Sequence, residues 1–132
     1  MPTNPLLVTV SVVYGVGGLA LLFAPDVIMS QVATGVPPVA IWIAGMFGGA
    51  LVAMSLLNWF SRQSLIGGIY GRPLLLANLM LLSNITFSSL RLWRAQPAPL
   101  FAVVTVLGAV FVIAFGRLLF RTPAAVGRPP AP

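Results

Sequence analysis

The chain has 132 residues, 59% of them hydrophobic and only 6% charged, with a mean hydropathy of +1.06. Seven arginines stand against a single acid, Asp26, and histidine, cysteine, lysine and glutamate are all absent, giving a formal charge of +6. A soluble domain of this size buries only about two-thirds of its unfolded surface and has no place for so much apolar area. Disulfides, imidazole or thiolate metal sites, and group transfer by a base or by paired carboxylates are excluded with it.

Four apolar spans fill the sequence at roughly 5–23, 38–60, 73–93 and 99–120. Each is about 19 to 23 residues long, and a hydrocarbon core of about 30 Å takes about 20 helical residues. The pattern predicts an all-α fold, a four-helix transmembrane bundle forming one domain over 1–121, followed by a Pro/Ala-rich tail at 122–132. The first span opens at Pro5, a favourable first-turn residue, and stops before Ala24-Pro25. It lacks the positive segment and small-residue cleavage site of a signal peptide and is expected to be retained. Asp26 is then placed to cap a short interfacial helix running to about Val32, before Gly35 and the pair Pro37-Pro38.

The second span ends at Asn58-Trp59-Phe60-Ser61-Arg62, an aromatic and arginine boundary of the kind that anchors a helix at the membrane surface. The loop 63–72, with three glycines, is expected to be irregular. The third span ends in Trp93 and Arg94, and Gln96, Pro97 and Pro99 turn the chain into the fourth. Trp59, Arg62, Trp93, Arg117 and Arg121 are read as interface anchors, the arginines snorkelling to headgroups. Arginines sitting singly at helix ends argue against a nucleic-acid partner. With four crossings, Arg62, Arg72, Arg117, Arg121 and Arg128 share a side and only Arg91 and Arg94 lie opposite, which predicts cytoplasmic termini.

Asp26 is the only carboxylate, and a proton relay needs titratable groups in series. An ion pair with Arg91 or Arg94, tying the first connection to the third span, is the expected role. The third span is the most polar. At 100° per residue, Asn78, Thr86 and Ser89 fall within about 80° of one another. Asn84, Ser88 and Arg91 form a second stripe elsewhere on the helix. Unbonded amides in hydrocarbon are costly, so both stripes should meet protein, water or a ligand, with Ser and Thr able to bond back to their own helix. One partner helix cannot serve both, so the third span should be central, or shared between the chain and a neighbour. Small residues form seams on the other spans: Ser11, Gly15 and Gly18 on the first; Gly45, Gly49 and Ala53 on the second; Thr105, Ala109 and Gly116 on the fourth.

The first span's end, Leu-Phe-Ala-Pro at 22–25, and the second's, Leu-Leu-Asn-Trp at 56–59, together with the compact length, resemble the small four-helix bacterial membrane proteins grouped as DoxX-like. The resemblance implies a four-helix membrane bundle and carries no functional residue onto this sequence.

No cofactor and no catalytic or metal site is expected. The five methionines show no clustered spacing, and Gly15-Val16-Gly17-Gly18 lies inside a helix with no adjoining lysine, so it is no phosphate loop. Asn84-Ile85-Thr86 fits a glycosylation sequon by chance at mid-membrane. The expected function is a non-enzymatic accessory or scaffold subunit of a prokaryotic inner membrane, packing with itself or with other membrane subunits among the lipids. One alternative is an oligomeric transporter or channel whose path is lined by Asn78, Asn84, Thr86 and Ser88. Another is lipid or pigment binding on Trp42, Trp59 and Trp93.

Overall fold

The computed structural model describes residues 4–63 and 71–120, and the fold is all-α. The helices are α1 (Pro5–Phe23), α2 (Pro25–Val32), α3 (Pro38–Phe60), α4 (Gly71–Ala95) and α5 (Pro99–Phe120), with a 3-10 turn, Ser61–Gln63, closing α3. All but α2 are long and apolar enough to cross a membrane, as in a multi-pass membrane protein. Prolines open α1, α2, α3 and α5 because the first helical residue has no intrahelical use for an N–H. Pro73 sits instead in the third position of α4, which begins two residues earlier at Gly71; a first-turn proline costs nothing there for the same reason. The centre of the 63–72 loop, the Pro/Ala-rich tail at 122–132, and Arg121 and Arg128 lie outside the described residues.

The chain divides into two compact units, Met1–Ser64 and Leu65–Pro132. In the first unit α1 packs along α3, and the short α2 touches both. Asn4 caps α1, its Oδ1 accepting from the Leu6 amide at 3.0 Å. Ala24, in a non-helical conformation, separates α1 from α2; it, and not Asp26, occupies the cap position, and it makes no side-chain cap bond. Asp26 stands in the first turn of α2, where its charge faces the positive end of the helix. Gly35, at φ +69°, supplies the left-handed residue that lets the chain turn from α2 into α3.

In α1, the buried face consists of Leu7, Val10, Ser11, Tyr14 and Gly18. Ser11, Gly18 and the cap residue Asn4 meet α3 and its closing turn at intervals of seven residues. The Asn4 amide donates to the Arg62 carbonyl at 2.9 Å. Ser11 Oγ donates to the Ser55 carbonyl at 2.7 Å, and Ser55 Oγ returns the bond to the Ser11 carbonyl, also at 2.7 Å. Gly18 lies against Gly48 so closely that a Cβ on it would stand 2.8 Å from the Gly48 carbonyl oxygen. The contacts advance along α1 as they retreat along α3, so the two helices are antiparallel.

The second unit pairs α4 with α5. Gly71, Leu75, Asn78, Leu82 and Ser89 are buried on α4, and Gly108, Phe111 and Phe115 on α5. A side chain at Gly108 would meet the hydroxyl of Thr86, so here too a small residue sets how closely two helices approach.

Candidate interaction surface

The polar residues of α4 occupy two faces. Asn78 and Ser89 are buried and Thr86 is partly so, in line with Leu75 and Leu82. Two of these three bond back to their own helix: Asn78 Nδ2 donates to the Leu74 carbonyl at 2.9 Å, and Thr86 Oγ1 to the Leu82 carbonyl at 2.7 Å. Such back-bonding satisfies a polar group without a partner helix. Asn84, Ser88 and Arg91 are all exposed, on a face about 150° round the helix from the first. Asn84 makes no hydrogen bond among the described residues. It lies near the middle of the 25-residue α4, a helix long and apolar enough to cross a membrane. A carboxamide there retains two donors and an acceptor with no water to receive them.

The glycine seams divide similarly. On α1 the predicted seam is the contact: Ser11 and Gly18 are buried, and a Cβ at Gly15 would lie 3.0 Å from Ser55 Oγ. On α3, Gly48, Val52 and Ser55 face α1, about a quarter turn from Gly45, Gly49 and Ala53. A Cβ at Gly45 or Gly49 would find neighbours only at 3.9 Å, and Ala53 is exposed. Gly45 and Gly49 instead floor an open apolar groove of about 680 Å³, walled by Leu22, Pro25, Trp42 and Met46. On α5, Gly108 makes the contact in place of Ala109 and Gly116, the latter having open space around it.

The reciprocal pair Ser11–Ser55 was not legible as a pair, although Ser11 was singled out. Its signal was present: serine and glycine seven apart on α1, and the same two residues in reverse order on α3. Interhelical hydrogen bonds in lipid are worth about 0.6 kcal/mol each on average and about 1 to 2 in model peptides. The double variant Ser11→Ala, Ser55→Ala is accordingly expected to lose about 1 to 3 kcal/mol of stability on denaturation in mixed micelles. A loss no larger than that of Thr9→Ala, whose hydroxyl bonds only to its own helix, would show the pair to be energetically idle.

Asp26, Arg91 and Arg94 are each exposed, and among the described residues Asp26 has no ion pair. Within its own unit, the first-turn amides of α2 are the complement the Asp26 charge finds. Arg62 and Trp59 do come together: the guanidinium stacks over the indole at 4.2 Å and donates to the Trp59 carbonyl at 2.7 Å. This fastens an arginine and an aromatic at one end of α3, in the form an interface anchor takes. Trp93 is exposed, and Arg117 lies in the last turn of α5, where a cation complements the helix dipole.

Comparison with protein-family models, with curated proteins and with solved structures finds no match.

Two buried polar residues escaped the sequence reading. Asn58 on α3 is fully buried, and neither it nor Asn78 lacks a partner. The Tyr14 hydroxyl on α1 is buried without a hydrogen bond among the described residues. Asn58 read as part of an interfacial boundary because Trp59 and Arg62 follow it at once.

Proposed function

We propose that the protein is a non-enzymatic membrane subunit that works by associating, within the bilayer, through the exposed polar stripe of α4. The observation that carries this reading is Asn84, an exposed carboxamide in mid-span with no bond of its own. Side-chain amides at helix–helix contacts hold membrane helices together because hydrocarbon offers them no alternative. The chain's composition supports a role without catalysis: one acid, no histidine, no lysine, no thiol. Five of seven arginines on one side favour a prokaryotic inner membrane orientation with both termini in the cytoplasm. A conduit lined by Asn78, Asn84, Thr86 and Ser88 together is less well supported, because two of these residues lie on each of two separate faces and Asn78 and Thr86 bond to their own helix.

The test is native mass spectrometry of the protein extracted gently from its own membrane, as wild type and as Asn84→Leu. The wild type is expected to emerge in a complex and the variant mainly as a lone chain. An Asn84→Leu chain that inserts normally and keeps every complex of the wild type would overturn the reading.

A further inference from the structure

The stripe on α4 is suited to one occupant in particular. A carboxamide is its own complement, since the N–H of one donates to the C=O of the other. Copies of one membrane protein insert with the same topology, so α4 of one copy runs parallel to α4 of the next, with residue 84 at equal depth in both. A two-fold axis along the membrane normal then places Asn84 against Asn84, the isologous arrangement commonest among oligomers.

The neighbouring residues fit this geometry. Ala77, Asn84 and Arg91 recur every seven residues, the repeat that keeps one seam facing a parallel partner, and all three are exposed. Ser88 lies one turn beyond Asn84 and is exposed as well, adding a second small polar residue to the face. Arg91 stands about 10 Å along the axis from Asn84. There a long arginine stem carries its charge out to headgroup phosphates, so two copies need not bring their guanidinium groups together.

We infer that the protein pairs with a second copy of itself through α4, the two Asn84 carboxamides bonding to each other in the middle of the membrane. The inference rests on the proposed association surface and specifies its occupant.

The chain has no cysteine, so single thiols report contact directly. Ser88→Cys and Ala77→Cys are made in the full chain, with Val110→Cys on the exposed side of α5 as the control, and oxidised in the membrane with copper–phenanthroline. The expected result is a covalent dimer from positions 77 and 88 and little from 110. Adding Asn84→Leu lowers the yield roughly five- to thirtyfold, the range of an interhelical hydrogen bond in model peptides, while Asn84→Gln, which keeps the carboxamide, preserves it. A yield from 77 and 88 no higher than from 110, or one indifferent to Asn84→Leu in a chain of normal membrane level, overturns self-pairing. If in that case native mass spectrometry still shows a foreign subunit lost on Asn84→Leu, self-pairing fails while the association surface stands; if Asn84→Leu alters no complex at all, both fail.

Discussion

Gly48→Ala and Gly18→Ala should each weaken the α1–α3 pair by about 2 to 3 kcal/mol, the upper part of the range for overpacked contacts, whereas Gly49→Ala should be close to neutral. The difference lies in what each new methyl group meets. At Gly48 it would stand 2.6 Å from the Leu22 amide nitrogen and 2.8 Å from both the Gly18 oxygen and the Leu21 carbonyl carbon. All three are backbone atoms, which cannot step aside without moving a helix. Gly18 is held as tightly, with the Gly48 oxygen at 2.8 Å and the Val52 nitrogen at 2.9 Å. At Gly49 only the end of the Leu22 side chain is near, at 3.9 Å. Because Gly18 and Gly48 face each other, the double variant should cost less than the sum of the two: once one methyl group has parted the helices, the other finds space. Denaturation of the full chain in mixed micelles, followed by tryptophan fluorescence, measures all four variants. Equal losses for Gly48→Ala and Gly49→Ala would show that α1 and α3 do not meet as described.

That contrast also shows what a sequence in lipid reveals and what it withholds. The ends of α1, α3 and α5 were legible to the residue, because prolines mark their starts and apolar runs of membrane length mark their extents. The choice of face on α3 was not. In water, a helix records its buried side as an apolar stripe; in hydrocarbon, leucine is as well placed outside as inside. Gly45, Gly48 and Gly49 offer more than one small-residue row, and hydropathy ranks none above another. What selects Gly48 is a relation between two helices: it lies seven residues before Ser55, as Ser11 lies seven before Gly18. Such a relation is invisible while each span is read alone.

The polar stripes of α4 were legible for the opposite reason. Amides are costly in lipid wherever they point, so their spacing alone defined two faces. In the structure one face is buried, with Asn78 and Thr86 bonding back to α4, and the other is exposed. Which of the two would be buried depended on Gly108, the one site on α5 where Thr86 is met by a residue without a side chain. Ala109 and Gly116, equally small, do not occupy that position.

Gly108 also allows a test in which a second substitution should undo the first. Gly108→Ala is expected to destabilise the α4–α5 pair by about 1 to 3 kcal/mol, because its methyl group would collide with Thr86 Oγ1. The Thr86 Cβ and Cα, at 3.4 and 3.6 Å, would be in near-ordinary contact, so the hydroxyl is the whole obstacle. It cannot simply turn away at no cost, since it donates to the Leu82 carbonyl at 2.7 Å and threonine in a helix has few rotamers. Thr86→Ala alone should cost little, because a hydroxyl bonded back to its own helix contributes little to the pairing. The combination Gly108→Ala, Thr86→Ala should then recover most of the loss, with a coupling of about 1 to 2 kcal/mol, the size found between residues in contact. Thr86→Val offers the contrasting case: it keeps a branch where the hydroxyl stood and gives up the bond, so it should leave Gly108→Ala unrescued. Additive losses in the alanine pair, with no recovery, would mean that Thr86 does not pack on Gly108. Recovery by alanine and not by valine would establish that α5 approaches α4 at this one point because position 108 carries no side chain.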